Sequence, residues 1–241
     1  MSNTLLARYQ QGEEIAVWQE IHAMDAEGQQ AVWSDVEAVV QETMERVRFN
    51  ADLLYDTLRA KGYSFESDTP RTLPDADTAE HVEGVKEVAG EFGELPLSLE
   101  YFWRIVGAVD FRHSWKQPAR FHMADPLYVD NVEHQLAYMA NEGEGWAETM
   151  EENVEEGEPA YVEISPDIYH KDNVSGGMAY GVVLSEQAVA DTRMVNMPYG
   201  DLYFVDYLRH CFSQGGFPNI AQENPGSEAW VNDLKAGLKP I

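Results

Sequence analysis

Apolar residues recur along this chain at two different periods. Val36, Val39, Val40, Met44, Val47, Ala51, Leu54 and Leu58 are spaced by three and four, which marks one face of a long helix. Ser34-Asp35-Val36-Glu37 in front of it has the form of a capping box, and Lys61-Gly62 behind it reads as a C-terminal stop. At about 1.5 Å per residue such a helix is roughly 40 Å long and must pack one stripe against something. Ahead of it, residues 1–24 place Ile15, Trp18, Ile21 and His22 on one helical face, and polar Asp25 to Gln30 reads as a turn.

A second set of elements begins at Thr78, a candidate N-cap. Val82, Val85, Ala89 and Phe92 follow at helical spacing, and Gly93 stops them. Pro96 suits the first turn of another helix, whose stripe is Leu99, Phe102, Trp103 and Val106 and whose stop is Gly107. The period then changes to two: Val109 and Phe111 alternate with Asp110, as in a strand. Leu127 to Val129 reads as a strand end or a helix approach. Ala160 to Ile164, Met178 to Leu184 and Val189 to Met197 read as strands. Residues 133–140 and Tyr203 to Phe212 read as helices, and Trp230, Leu234 and Leu238 mark a short terminal one.

The pattern predicts an α+β fold, with a mixed, mostly antiparallel sheet and helices packed on it. An N-terminal helical section, 1–63, is expected to dock on the body. Residues 64–77, with two prolines and several acids, read as a linker, 78–220 as the α+β domain and 221–241 as a tail.

Composition narrows the function. The chain has 241 residues, 44% of them apolar, enough for a core. No apolar run approaches the roughly 20 residues that span a bilayer. The first residues, MSNTLLARYQQGEE, lack the basic-then-apolar order of a signal peptide, so a cytoplasmic location away from membranes is expected. One cysteine, Cys211, excludes an internal disulfide and a cysteine-based zinc site. It lies on the apolar face of the Tyr203–Phe212 helix, where a buried small hydrophobe is the plainer reading than a nucleophile.

Asp and Glu number 43 against 16 Lys and Arg, a formal net charge of −27. Such a surface repels nucleic acid and anionic membranes, and it attracts a basic protein. Solubility is the competing explanation of the same charge. Arg112, His113, Lys116 and Arg120, interleaved with Trp115 and Phe121, form the one sizeable basic cluster. On so acidic a chain they answer the protein's own carboxylates better than a nucleic acid.

Two stretches carry candidate site residues. Asp130 to Glu158 has no Lys or Arg and reads as a solvated face or loop. Its sharper reading is a partner surface, with Trp146 and Met150 as anchors and Glu151, Glu152, Glu155 and Glu156 as the charged rim. The second is Ser165 to Gly177, where His170, Lys171, Asp172, Asn173 and Ser175 offer a base, a cation, acceptors and a hydroxyl. A catalytic triad needs separate segments to converge, whereas this is one contiguous run with strong turn chemistry. The run therefore reads as structural, and as a ligand loop led by His170 and Lys171 in the alternative. The seven histidines are scattered without metal-binding spacing, and no phosphate-binding or dinucleotide motif is present. No metal, cofactor or catalytic residue is expected.

Glu91-Phe92-Gly93-Glu94-Leu95-Pro96 and Phe102-Trp103-Arg104-Ile105-Val106-Gly107 resemble the opening of the SUKH superfamily. That superfamily includes fungal cell-wall-assembly regulators and bacterial immunity proteins that neutralise toxins. Asp125-Pro126-Leu127, Ser165 to Gly177 and Phe204 to Pro218 resemble a bacterial SUKH-like branch, so the resemblance touches most of residues 40 to 220. It implies a fold and a habit of binding proteins, and no shared catalytic chemistry. With the charge, it makes a non-enzymatic immunity-type protein that occludes a basic toxin, such as a nuclease, the expected function. A small-ligand binder or enzyme built on the His170 loop is one alternative, and a regulatory scaffold is another.

Overall fold

The stripe from Val36 to Leu58 is buried along its length in the computed structural model, which describes residues 4–114, 121–141 and 145–241. Three short helices, α1 (Leu5–Gln10), α2 (Glu14–Ala23) and α3 (Ala26–Ala31), lead into the long α4 (Trp33–Ala60). Trp18 and Ile21 of α2 are buried as the spacing predicts, but Ile15 is 61% exposed. The capping box does not form, because α4 begins at Trp33 and takes Ser34 and Asp35 into its first turn. Asp35 instead accepts the N–H groups of Leu5 and Leu6, at 2.6 and 3.2 Å, where α1 starts. Glu37 accepts the Tyr101 hydroxyl at 2.6 Å. Both side chains serve distant partners in place of their own helix end.

Residues 64–77 are part of the body. They supply β1 (Arg71–Thr72), which pairs antiparallel with β2 (Ala108–Asp110), and β2 pairs in turn with β3 (Tyr128–Val129). The Arg71 side chain is buried against this sheet and donates to the Ala108 carbonyl at 2.8 Å, which ties the supposed linker down. α5 (Thr78–Ala89) starts at Thr78 itself, whose hydroxyl donates to Asp75 at 2.9 Å, so Thr78 is not the cap. α6 (Leu97–Tyr101) continues into a π turn over Phe102–Val106. Gly107 ends it with φ of 89°, and a Cβ there would lie 2.1 Å from the Thr72 carbonyl oxygen. Only glycine allows β1 to pass so close at that backbone angle.

The second half holds α7 (Val132–Met139), α8 (Trp146–Glu156), β4 (Tyr161–Ser165), β5 (Tyr180–Val183) and β6 (Met194–Val195). Then come α9 (Phe204–Ser213), α10 (Ile220–Glu223) and α11 (Glu228–Lys235). The strands β4, β5 and β6 form a second antiparallel sheet in that order. The Asp130 N–H, just after β3, donates to Ile164 of β4 at 2.8 Å and links the two sheets. The fold is thus α+β with helices packed on two small antiparallel sheets and a helical N-terminal region. No helix among the described residues is long and apolar enough to cross a membrane.

One continuous core runs through all of it, from Leu5 and Trp18 through Phe102 and Phe204 to Leu234. Two polar rivets fasten the N-terminal helices to the rest. His22 Nε2 lies 3.1 Å from Asp191, a buried carboxylate that also accepts the Ser98 hydroxyl at 2.7 Å and the Val205 N–H at 3.2 Å. Asn50, buried midway along α4, donates to the Lys239 carbonyl at 2.8 Å and accepts the Lys239 N–H at 2.7 Å.

Leu99, Phe102, Trp103 and Val106 are all fully buried, and Phe102 meets Phe204 edge-on at 5.6 Å. Phe102→Ala is expected to lower the unfolding free energy by about 3–5 kcal/mol, read from the denaturant midpoint. An unmoved midpoint would place this ring outside the core.

Candidate functional site

The acidic stretch is more ordered than its composition predicts. Trp146 and Met150 are one helical turn apart, so they share a face, and Gly157 closes the helix in the left-handed conformation. The expected loop is therefore α8. Its apolar face is pinned to the start of β4 from two sides. The Trp146 indole N–H donates to the Tyr161 carbonyl at 3.2 Å, and the Tyr161 N–H meets the Met150 sulfur at 3.2 Å. The Trp146 ring also packs edge-on against Phe92 at 5.3 Å.

This geometry corrects the anchor role expected of Trp146 and Met150. They are 1% and 0% exposed, and they hold the helix to its own body, so neither can enter a partner. Glu148, Glu151, Glu152, Glu155 and Glu156 are exposed on the same helix, and Val154 is 53% exposed among them. No described Lys or Arg pairs with these glutamates. The charged rim therefore exists as a helical surface.

The polar loop does not gather its five named residues into one site. Lys171 turns inward and is completely buried, with its ammonium 2.6 Å from Asp125 and 4.8 Å from the centre of the Tyr180 ring. Asp125 also accepts the Tyr199 hydroxyl at 2.5 Å and the Tyr180 hydroxyl at 3.3 Å. Burial first, and then the Asp125 charge, holds both phenols well above their usual range, so they remain donors. Asp172 turns another way, accepting from His113 Nε2 at 2.9 Å and facing His122 Nδ1. His170 lies against Asp167, which also accepts the N–H groups of Tyr169 and His170 at 2.7 and 3.2 Å.

Asn173 and Ser175 stay exposed, and Asn173 adopts φ of 59°. Gly176 and Gly177 have φ of 130° and 85°, positive backbone angles that suit glycine. A Cβ on Gly177 would lie 2.6 Å from the Asp167 carboxylate carbon. The loop is thus a brace in which Lys171 and Asp172 are used internally, while His170 rests on Asp167 with half of its side chain exposed. Its closed ion pair leaves no access for a substrate at Lys171.

What sequence reasoning missed is the set of partners. Asp125, Tyr180 and Tyr199 come from separate segments, and nothing in the local pattern around each announces that they meet. The exposed face of the loop was missed too: Tyr169, Val174 and Met178 are 46%, 42% and 61% exposed, apolar side chains presented by an otherwise polar run. Such exposure is a feature of interaction surfaces when it clusters.

The remaining candidates are quieter. Burial pushes the Cys211 thiol up to about 12, which removes the thiolate a nucleophile needs. Of the basic cluster, Arg112 makes a two-point pair with Asp110, at 2.8 and 2.9 Å, and His113 is held by Asp172, so both answer the protein's own acids. Trp115, Lys116 and Arg120 lie outside the described residues. Among the described residues, no group of three or more His, Cys, Asp or Glu is placed to hold a metal ion.

Removing one member of a buried pair strands the other charge. Lys171→Met is expected to lower stability by about 3–5 kcal/mol, whereas Lys171→Met combined with Asp125→Leu costs less than the two single changes added together. Denaturant unfolding of the three variants measures this, and strict additivity would show that the pair is not coupled.

No family model matches the chain, and neither a curated protein nor a solved structure matches it.

Proposed function

We propose that the protein acts by binding a basic protein partner and performs no catalysis. In its most concrete form it is an immunity-type protein that occludes a toxin domain, such as a nuclease, whose own substrate is anionic. The observation that carries this reading is the outer face of α8. There, Glu148, Glu151, Glu152, Glu155 and Glu156 stand exposed on a helix fixed rigidly to β4. A helix already fixed to the body presents its carboxylates without first losing backbone freedom to order itself. The sequence resemblance to SUKH immunity proteins supports the same reading, as does the excess of 43 acids over 16 bases. The use of Lys171 and Asp172 as internal braces weighs against the enzyme alternative.

Exposed charges act chiefly on the encounter rate, because their attraction reaches across solvent before contact. Reversal of Glu151, Glu152, Glu155 and Glu156 to Lys is expected to slow association with the cognate partner by roughly tenfold or more, with a smaller change in dissociation. The wild-type rate should fall as salt rises from about 0.1 M to about 1 M, where the screening length shrinks from about 10 to about 3 Å. Stopped-flow mixing with the product of a neighbouring gene provides the test. If the reversed protein associates at the wild-type rate with the same salt slope, α8 is not the docking face.

A further inference from the structure

The seam between the N-terminal helices and the second sheet is riveted but not filled. Asp191 holds His22, and Gln29 accepts the Ala190 N–H at 2.8 Å while donating to Ile21 at 3.1 Å. Above these rivets lies a groove of about 590 Å³ with Met24, Leu184, Val189, Met194 and Val195 in its walls. It adjoins a second hollow of about 440 Å³, and the two share Asp25, Ala26, Ser185 and Val189. The result is a trough between α3 and the segments around β5 and β6, mostly apolar in the larger hollow and bordered by Glu27, Glu186 and Gln187 in the smaller one.

Its polar floor is already occupied by the protein's own contacts. Asp191 accepts from Ser98, Thr192, His22 and Val205, and the Thr192 hydroxyl donates to Val183 at 2.6 Å. The order Ser98–Asp191–His22 puts the carboxylate in the middle, so His22 cannot deprotonate Ser98 and the three do not form a nucleophilic triad. A polar small molecule finds few free groups to orient it there.

The rim is mostly acidic. Asp25, Glu27, Glu186 and Asp201 border the two hollows, and the basic side chains in their walls are Arg193 and His22, the latter held by Asp191. Arg193 is drawn to Asp201, at 3.5 Å, and lies 5.0 Å from the centre of the Tyr203 ring. Glu27 and Glu186 are exposed and line the second hollow, whose walls do not include Arg193. An apolar trough with an acidic rim fits an apolar side chain flanked by lysines or arginines. A second copy of this chain, itself at −27, is repelled from it.

Resting on the protein-binding reading above, we propose that this trough seats a linear basic segment of the partner. An apolar side chain of that segment enters between Met24 and Met194, and its flanking cations lie over Glu27 and Glu186.

Methionines report each surface separately: Met24 and Met194 line the trough, Met150 lies under α8, and Met178 stands on the polar loop. The experiment titrates the full chain, labelled with ¹³C at its methionine methyl groups, with the peptide KKLFKK and with the acidic control EELFEE. Shifts at Met24 and Met194 with KKLFKK alone, weakened about tenfold by Glu27→Lys with Glu186→Lys and by raised salt, support the proposal. Both substituted residues are exposed, so an unchanged thermal midpoint verifies that the double variant is folded. Shifts confined to Met150 or Met178 overturn the trough while leaving protein binding intact. Equal shifts from EELFEE overturn the charge argument, and concentration-dependent shifts without peptide identify a second copy as the occupant. Absence of any shift overturns the trough, and the α8 association experiment then judges the wider reading independently.

Discussion

A lysine and an aspartate with no solvent exposure at all set the terms for the middle of this molecule. Taking two charges out of water costs several kcal/mol for each, and their attraction compensates only when further hydrogen bonds complete the site. Lys171 and Asp125 meet that condition because the Tyr180 and Tyr199 hydroxyls point at the same carboxylate. The pair therefore fixes four stretches of chain relative to one another: the segment before β3, the loop after β4, β5, and the approach to α9. Asp125 itself adopts φ of 51°, a conformation non-glycine residues seldom take, which the surrounding bonds hold in place.

The same economy of cations runs across the surface. Arg8 reaches Glu13 and Glu20, Arg46 reaches Glu14 and Glu42, and Arg104 reaches Glu83 and Glu100. Three of these pairs, Arg8–Glu20, Arg46–Glu14 and Arg104–Glu83, join different elements, so the scarce positive charges act as fasteners. The surplus of carboxylates is left outward-facing, on α8 and along the seam trough. Fold and surface field are in this sense one arrangement: each bracing cation offsets the carboxylates it meets, and the net negative field comes from the carboxylates that no cation reaches.

The sequence made periodic elements legible. The α4 stripe, the buried set around Phe102, the strand at Val109 and the apolar face of α9 follow from side chains whose spacing and burial have the same cause. Less legible were side chains with distant partners. Asp35 looked like part of a cap and proved to hold the start of α1; Arg71 looked like a linker residue and proved to lie buried on β2. α8 was obscured because glutamates dominate its composition, although two residues at the right spacing suffice to seat it. The candidate site suffered most. The exposed glutamates were visible, but the inward turn of Trp146 depends on Tyr161 and Phe92, and the burial of Lys171 depends on Asp125, contacts that local pattern does not encode.

The bond between Asn50 and Lys239 spans 189 positions of sequence. A buried amide midway along the longest helix is left without its partner until the residues near 240 have arrived. The apolar stripe of α4 is complete within one stretch of sequence, whereas its central polar group is satisfied only by a segment 189 positions away. Contacts of such separation slow folding, since the loop must close before the bond rewards it.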